Sequence, residues 1–308
     1  MKILASRRFL GPAWDELSDV EYLSGLLPEG AGGDREEIDA LAVVGERIDD
    51  ETLDLFPSLR IVANYGVGYD SIDVGACAAR GIAVTNTPGV LTAATADLAL
   101  ALLLAVRRRI VVGDLAVREG RWRGGWADPD FLGRDVGGST LGIVGFGRIG
   151  QAVALRAAAF GMGVLQHSRR RGGEGWRELD QLLAEADVIS LHVPLTTETR
   201  GLLDASRLAL LRDGGCLINT ARGQIVDEEA LVRELVSGRI EAGLDVFAHE
   251  PEVPRELVGL PNVVLTPHVG SATAETREAM TRVLVDNLLA AGRRERPPNL
   301  VYPEAEAP

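Results

Sequence analysis

The sequence predicts an α/β protein of two domains, each built around a parallel sheet. Short apolar runs separated by helical patterns are typical of strands that are buried on both faces of such a sheet. That alternation occurs twice along the chain, with a long apolar helix between the two series. The length of 308 residues exceeds the usual size of a single hydrophobic core, which by itself favours two domains or one large α/β unit.

The first series of strands ends near residue 85. Its apolar runs predict strands at Lys2–Ala5, Ala40–Val44, Ile61–Ala63 and Ile82–Val84. A helical pattern from Trp14 to Leu27 is predicted to connect the first two strands. A second helix, from Thr92 to Arg109, is apolar nearly all round, so we expect it to be buried against another domain or subunit.

The second series begins at Thr140. It predicts strands at 140–144, 163–166, 188–191, 216–219, 242–246 and 263–266, and helices at 151–160, 179–184 and 228–237. A final helix, Ala274–Ala291, follows the completed sheet and is free to return to the first domain. We therefore predict one domain from residues 1–96 and 275–308 and another from residues 97–274.

Composition and charge argue against several classes of protein. The chain has 32 Lys and Arg against 45 Asp and Glu, and a formal net charge of −13, which repels a nucleic-acid backbone. Cys77 and Cys216 lack metal-ligand spacing and indicate isolated thiols in a reducing compartment. The longest apolar run, Leu98–Val106, has nine residues, half of the roughly 18 that a membrane-spanning helix needs. We expect a cytoplasmic protein that binds no metal, nucleic acid or membrane.

A glycine motif opens the second series. Gly145–Gly150 reads GFGRIG, follows a predicted strand directly and begins a predicted helix. In this arrangement backbone amides and a helix N-terminus hold a pyrophosphate. Gly145 would allow the tight turn, Gly147 the approach of the phosphates, and Gly150 the close packing of helix on strand. We predict a Rossmann-type, doubly wound dinucleotide-binding domain; a glycine-rich turn without a ligand is the alternative.

The end of the next strand indicates which dinucleotide is bound. Preference for the unphosphorylated cofactor typically requires an Asp or Glu about 20 residues after the motif. No carboxylate occurs between Gly150 and Gly173, and the strand ends in the sequence HSRRR at 167–171. Guanidinium groups favour a 2′-phosphate through forked, charge-assisted hydrogen bonds. We predict NADPH over NADH, with Ser168, Arg169 and Arg170 near the phosphate; a solvated basic loop is the alternative.

Three later segments carry groups suited to an anionic carbonyl substrate. They are residues 219–223 with Arg222, residues 243–251 with Asp245 and Glu250, and residues 265–271 with His268. Each segment includes or follows the end of a predicted strand, and ligands of open α/β sheets bind at the carboxyl edge of the strands. We therefore expect the three segments to meet at one edge of the sheet.

Taken together, these motifs resemble those of the D-isomer-specific 2-hydroxyacid dehydrogenase family, and most of all its glyoxylate and hydroxypyruvate reductases. The resemblance extends from about Ile61 to Leu300 and includes Asn64–Gly68 and Thr87–Thr92 besides the segments above. It implies NAD(P)H-dependent reduction of a small 2-keto acid to the D-2-hydroxy acid. It also implies a smaller, flavodoxin-like substrate-binding domain beside the Rossmann domain.

The resemblance implies a role for each candidate catalytic residue. Arg222 would hold the substrate carboxylate and polarise the keto oxygen, a task suited to a planar cation that keeps its proton. His268 would protonate that oxygen, and Glu250 would pair with His268 and stabilise the imidazolium. The structural alternatives are an ion pair for Arg222, a surface acid for Glu250 and a strand-end hydrogen-bond donor for His268. The other implied substrate-binding residues are Val67, Gly68, Ser271 and Trp126.

The resemblance also implies a set of cofactor contacts, in which Asp245 lies near the nicotinamide carboxamide and Thr220 beside the same ring. The full set is Thr95, Gly145, Gly147, Arg148, Ile149, Gly150, Ser168, Arg169, Arg170, His192, Pro194, Thr220, Asp245 and Gly270. In the resembling reductases a tryptophan at the position of Trp126 reaches the neighbouring subunit's active site; simple packing in the interface is the alternative for Trp126. We therefore expect a homodimer, an expectation that the apolar helix at 92–109 also favours.

Two kinds of alternative function stay open at this point. The same fold could act on a bulkier substrate, such as 2-ketogluconate, or on phosphite. The C-terminal-binding corepressors, which the chain also resembles, use this fold to sense a dinucleotide and to bind other proteins. Such a function stays open here, since these corepressors can retain the residues corresponding to Arg222, Glu250 and His268.

Overall fold

The computed structural model describes residues 1–25, 27, 35–124 and 128–302. Helices in chain order are α1 (Asp50–Asp54), α2 (Val74–Ala79), α3 (Thr92–Arg107), α4 (Ile110–Arg118), α5 (Arg148–Ala159), α6 (Leu179–Glu185), α7 (Ala205–Leu208), α8 (Glu228–Val236) and α9 (Ala274–Gly292). Strands are β1 (Ile3–Ala5), β2 (Val20–Tyr22), β3 (Ala40–Val43), β4 (Ile61–Asn64), β5 (Ala83–Thr85), β6 (Thr140–Val144), β7 (Gly163–His167), β8 (Val188–Leu191), β9 (Cys216–Asn219), β10 (Glu241–Leu244), β11 (Val263–Leu265) and β12 (Leu300–Val301).

The chain divides into two compact units. The first contains the described residues of Met1–Leu91 and Ser271–Pro308, and the second is Thr92–Gly270. The predicted boundary at 96/97 falls within α3, which the structure keeps whole in the second unit. In the part of the chain that is described, no helix is both long enough and apolar enough to cross a membrane.

The first unit contains a six-stranded sheet of order β12-β5-β4-β3-β1-β2. Its neighbouring strands are parallel except for β12, which runs antiparallel to β5. All four residues of β3 and of β4 are buried, as expected for strands covered on both faces. Aspartates cap the short helices: Asp49 accepts a hydrogen bond from Thr52 N in α1, and Asp73 from Ala76 N in α2.

The second unit contains a six-stranded parallel sheet of order β11-β10-β9-β8-β6-β7. On one face, Leu103 of α3 and Val153 of α5 belong to the same core as Ile143 of the sheet. On the other, Leu182 of α6 and Leu231 of α8 share a core with strand residues that include Val144 and Leu217. Helices on both faces of a parallel sheet confirm the predicted doubly wound α/β class.

The predicted helix from Trp14 to Leu27 is wrong. Pro12–Glu16 forms a short 3-10 helix, and Val20–Tyr22 forms β2, which pairs in parallel with β1. Between them Asp19 adopts a left-handed conformation, φ 61°, which a right-handed helix cannot contain. The apolar spacing was ambiguous because a short run can equally belong to a strand.

The helix predicted at 92–109 also needs a correction. It ends at Arg107, Arg109 is left-handed with φ 51°, and a second helix, α4, follows that the sequence analysis did not predict. The apolar residues of α3 pack against α5 and against β9, β10 and β11 of the same unit. Its all-round apolar character therefore reflects burial within its own unit, and gives no support for a contact with another subunit.

Candidate active site

The candidate site lies at the carboxyl edge of the second unit's sheet. The last paired residues of its strands form a row of neighbours across the sheet: His167, Val144, Leu191, Asn219, Leu244 and Leu265. The glycine motif follows Val144, and the three later segments include or follow Asn219, Leu244 and Leu265. Parallel strands thus bring segments that are far apart in sequence to one edge.

The glycine turn has the geometry that a phosphate-binding turn requires. Gly145 has φ 99°, and a Cβ there would lie 2.6 Å from the carbonyl carbon of His192 and 2.7 Å from Val193 N. At Gly147, by contrast, a Cβ would meet nothing within 4 Å. Gly147 is also the N-cap of α5 and offers no side chain to its first-turn amides. Backbone amides therefore border open space, which is how such turns accept a pyrophosphate.

Of the three arginines that follow β7, one is paired with a carboxylate in the described part of the chain. Arg171 forms a 2.8 Å ion pair with Glu178 and lies 5.7 Å from the Trp176 ring centroid. Arg169 and Arg170 are exposed, and neither forms an ion pair with another described residue. The Ser168 hydroxyl donates to the Arg170 carbonyl at 2.9 Å. The nearby His167 places Nδ1 3.0 Å from the carbonyl of Arg177.

His192 lies against the glycine turn and is held by a neighbour. Its Nε2 is 2.8 Å from the hydroxyl of buried Ser190, and its amide donates to the Val144 carbonyl at 2.7 Å. Burial of the ring lowers the pKa of His192 to about 4, so the imidazole is neutral near pH 7. Ser190 is not among the site residues predicted from the sequence, where its only signal is a polar residue within a buried strand.

Asp245, after β10, organises the loop that carries His268. Its carboxylate accepts hydrogen bonds from Thr266 Oγ1 at 2.6 Å and from the backbone amides of Val269 and Gly270, both at 2.8 Å. The His268 amide donates to the Asp245 carbonyl at 2.9 Å. Burial raises the pKa of Asp245, although these hydrogen bonds favour the ionised form.

His268 and Glu250 form the central contact of the site. The distance from His268 Nδ1 to Glu250 Oε2 is 2.7 Å. Partial burial raises the pKa of Glu250, but His268, the Phe247 amide and the charge of Arg222 together outweigh it, so the pKa lies below its ordinary value. The carboxylate is therefore ionised near neutral pH, as a partner for an imidazolium must be.

Arg222 reaches this environment from the segment after β9. Asn219 shapes the turn, because its side chain accepts from Ala221 N at 3.0 Å and donates to the Arg222 carbonyl at 2.9 Å. A Cβ at Gly223 would clash with the backbone of Phe247 and Ala248, so only glycine allows the two loops to pack this closely. The role of buried Asn219 was also missed, although its position at a strand end was visible in the sequence.

Other predicted cofactor residues gather at the same edge. A Cβ on Gly270 would lie 3.2 Å from Asp245 Oδ2 and 3.7 Å from Thr95 Oγ1. The Thr220 hydroxyl is buried and has no hydrogen-bond partner among the described residues. An orphaned hydroxyl at the same sheet edge as an open glycine turn fits a bound dinucleotide, which can supply the missing partner. Pro194 lies in the adjoining segment, where its carbonyl accepts from Thr199 Oγ1 at 2.6 Å.

Val67, Gly68 and Ser271 belong to the first unit. Asn64, buried at the end of β4, donates to the Gly68 carbonyl at 2.8 Å, and Asn86 donates to the Val67 carbonyl at 2.9 Å. These two amides hold the loop after β4 and were not assigned this role from the sequence. Trp126 lies outside the described residues.

Comparison with known proteins identifies the family. Residues 100–270 match the family model described as D-isomer specific 2-hydroxyacid dehydrogenase, NAD binding domain. The glyoxylate reductase of Thermococcus litoralis is 52% identical over 277 residues, covering 86% of this chain and 84% of that protein. The glyoxylate reductase of Pyrococcus horikoshii is 53% identical over 280 residues, covering 87% and 84%.

Solved structures agree in fold over nearly the whole chain. A protein of Thermus thermophilus has a TM-score of 0.90 and 47% identity, covering 98% of this chain and 100% of that one. The NADPH-dependent glyoxylate/hydroxypyruvate reductase of Sinorhizobium meliloti, in complex with NADP and malonate, has a TM-score of 0.89 and 40% identity, covering 97% and 96%. The chain therefore belongs to the D-isomer-specific 2-hydroxyacid dehydrogenase family, an oxidoreductase family with a nicotinamide cofactor.

Proposed function

We propose that this protein reduces a small 2-keto acid, such as glyoxylate or hydroxypyruvate, to the corresponding 2-hydroxy acid with NADPH. The product has the D configuration where it is chiral. The observation that carries the proposal is the 2.7 Å contact between His268 and Glu250, at the same sheet edge as Arg222 and the glycine turn. Relatives named glyoxylate reductase, at 52% and 53% identity, support the substrate class.

A dinucleotide held at the glycine turn would supply a hydride from nicotinamide C4 to the keto carbon of the substrate. Arg222 binds the substrate carboxylate and polarises the keto oxygen, because a guanidinium donates hydrogen bonds and keeps its charge. Glu250 engages His268 Nδ1, which leaves Nε2 to give its proton to the keto oxygen. Ionised Glu250 stabilises the imidazolium before that transfer.

In the first unit, the loop after β4 is proposed to bind the substrate carboxylate as well. Asn64 and Asn86 fix the carbonyls of Gly68 and Val67. The backbone N–H groups of Val67 and Gly68 donate no hydrogen bond to another residue in the described parts of the chain. Two adjacent free amides in a fixed loop are suited to an anion.

The main test is consumption of NADPH on addition of glyoxylate, with a panel of larger 2-keto acids and phosphite. We expect His268→Gln to lower kcat by about 10²- to 10⁴-fold, the usual contribution of a general acid. Its affinity for NADPH, measured by fluorescence titration, should stay at the wild-type value. Full turnover by the variant would refute the proton-donor role. A protein that binds NADPH and reduces no member of the panel would support the sensing alternative instead.

The preference for NADPH is proposed from the two arginines after β7 that lack an ion-pair partner among the described residues. Arg169 and Arg170 can meet a 2′-phosphate, whereas Arg171 is already engaged by Glu178. Arg169→Gln with Arg170→Gln should lower kcat/KM for NADPH at least about tenfold, with a smaller change for NADH. Arg171→Gln is the matched control. Equal losses in all variants, or a wild-type preference for NADH, would refute the assignment.

We further propose that the protein acts in the cytoplasm as a homodimer. Helix α4 supports the dimer, since it exposes Ile110, Val111, Leu115 and Val117. Cys77 and Cys216 are buried free thiols, which suits a reducing compartment. The contribution of Trp126 to the partner's site stays a prediction.

A further inference from the structure

A cleft of about 420 Å³ opens on the first unit, between the residues that follow β1 and the start of α9. Such a volume falls in the range of small-molecule sites. Its lining is formed by Arg7, Arg8, Phe9, Leu10, Tyr65, Ala272, Thr273, Ala274 and Arg277. The candidate catalytic, substrate-binding and cofactor-binding residues described above are not among them.

The floor of this cleft is apolar and is held in place by contacts within the protein. The rings of Phe9 and Tyr65 have centroids 4.4 Å apart, and the two residues are 3% and 5% exposed. The Tyr65 hydroxyl donates to the Arg277 carbonyl at 2.7 Å. The polar end of Tyr65 is therefore satisfied within the protein, and the small part of its ring that borders the cleft is apolar and preformed.

The rim of the cleft is cationic. Arg7, Arg8 and Arg277 line it, and no acidic residue does among those described, although the whole chain has a net charge of −13. Arg8 is paired with Asp15 at 2.6 Å. Arg277 lies over the Tyr65 ring, 5.7 Å from its centroid. Within the described ranges, neither Arg7 nor Arg277 has a carboxylate partner.

These features define a ligand class. An unpaired guanidinium binds carboxylates and phosphates through two parallel hydrogen bonds, and here two of them border an aromatic floor. The first residue of the 19-residue helix α9 also lines the cleft, and the positive end of the helix dipole adds to the same potential.

We propose that this cleft binds a small organic anion, with its carboxylate or phosphate held by Arg7 and Arg277 and its apolar body over Phe9 and Tyr65. Two sources have this chemistry. One is the far end of a longer 2-keto acid, because Tyr65 is only two residues, about 7 Å of extended chain, from Val67. The other is a separate anionic molecule. The second source does not depend on the proposed function, whereas the first does.

The binding test uses phenyl phosphate, which carries both an anionic group and an apolar ring. It is titrated by calorimetry into protein saturated with NADP⁺, so that the dinucleotide site is filled. We expect Arg7→Gln with Arg277→Gln to weaken binding at least about tenfold. Arg7→Lys with Arg277→Lys keeps the charge and should bind phenyl phosphate with an intermediate affinity. If the glutamine variant does not fold, the affinity of this lysine variant tests the proposal instead.

The matched control is Arg47→Gln with Arg293→Gln. It removes the same charge from the same unit, but from arginines that are paired with Asp49 at 2.7 Å and Glu295 at 2.8 Å. This control should bind as the wild type does. The proposal is overturned if the wild type does not bind phenyl phosphate, or if the Arg7 and Arg277 variants bind it as tightly as the control.

Kinetics then distinguish the two sources. 2-Oxoadipate and 2-oxohexanoate have the same chain length and differ in the terminal carboxylate. If the ligand is a substrate tail, the ratio of their kcat/KM values falls at least about tenfold in the double glutamine variant and is unchanged in the control. If only phenyl phosphate binding is lost, the ligand is a separate anion. Turnover of neither acid would count against the proposed function and leave the binding result unaffected.

Discussion

His268 is held in an unusual backbone conformation by a buried carboxylate. Its φ of 53° lies in the left-handed region, which is uncommon for residues other than glycine. Asp245 stabilises the turn by accepting hydrogen bonds from the amides of Val269 and Gly270, while its carbonyl accepts from His268 N. The position of the imidazole therefore depends on Asp245 as well as on its contact with Glu250.

Replacement of Glu250 tests how much the charge of this contact contributes. Glu250→Gln keeps the shape and one hydrogen-bonding oxygen but removes the charge that we propose stabilises the imidazolium. A hydrogen bond to a charged group contributes about 1.5–3 kcal/mol, so we expect kcat to fall by about 10- to 100-fold. Steady-state kinetics with saturating NADPH measure it.

The control for this variant is Glu252→Gln. Glu252 is an exposed acid two residues further along, and its replacement should leave kcat near the wild-type value. If Glu250→Gln and Glu252→Gln behaved alike, the carboxylate would have no specific role in proton transfer.

His192 makes stability depend on pH. Its pKa is lowered by burial to about 4 in the folded protein, against about 6.5 in an unfolded chain. Between these values the unfolded state binds more protons, so stability falls as the pH falls from about 6.5 to about 4. His192→Asn should remove about 2–3 kcal/mol of this acid-induced loss. Denaturant unfolding at pH 7 and pH 4.5 measures the difference.

Exposed His249 supplies the comparison for that experiment. His249→Asn should retain the full acid-induced loss of the wild type, since the side chain remains in contact with water. An identical pH dependence for His192→Asn and the wild type would mean that the folded protein accommodates a charged imidazole at position 192.

At the same scale, sequence and structure contributed different information about the site. The positions of Arg222, Glu250 and His268 after buried strands, together with the family resemblance, were enough to select them. The 2.7 Å contact between His268 and Glu250 depends on loop geometry that no residue pattern specifies. The internal hydrogen bonds of Asp245 were likewise not predictable, because they are made to backbone amides.

The turn between β6 and α5 allows a test of the phosphate-binding element. Gly145→Ala would force a side chain into a left-handed position against the His192 backbone, so we expect a loss of stability of about 2 kcal/mol or more. Gly147→Ala meets no protein atom within 4 Å and should fold normally. It should nevertheless weaken NADPH binding at least about tenfold, because the methyl group occupies the approach to the backbone amides.

Thermal unfolding and NADPH titration of the two variants separate folding from binding. The expected pattern is an unstable Gly145→Ala protein and a stable Gly147→Ala protein with impaired binding. Wild-type affinity in Gly147→Ala would show that the phosphates do not approach this residue.

Among the secondary-structure elements, buried parallel strands were the most predictable. Val188–Leu191 and Cys216–Asn219 were located to the residue, because an apolar run between turn residues leaves little freedom in its limits. The segment from Trp14 to Leu27 was not, since the left-handed conformation of Asp19 and the pairing of β2 with β1 have no signal in apolar spacing. Helix α4 was missed because the arginines at 107–109 marked the end of α3 but did not reveal a second start.

On the scale of the whole molecule, the net negative charge of the protein opposes the binding of anionic ligands. The net charge of −13 repels both a nicotinamide dinucleotide and a keto acid, so attraction must come from local cations. Positive charge is concentrated locally at three places: at Arg222, at the arginines after β7, and at the cleft with Arg7 and Arg277. Clusters of cations at clefts can attract anionic ligands even where the net charge repels them.

The exposed apolar residues of α4 predict the oligomeric state. Leu115 is 44% and Val117 61% exposed, and with Ile110 and Val111 they place four large apolar side chains on one short helix, a feature typical of association surfaces. We expect size-exclusion chromatography with light scattering to give twice the mass of one chain. Leu115→Asp with Val117→Asp should give the monomer, because burying two carboxylates in an apolar contact is unfavourable. Val258→Asp, a change at an exposed apolar residue outside α4, should remain dimeric. A monomeric wild type, or a dimeric double variant, would exclude α4 as the interface.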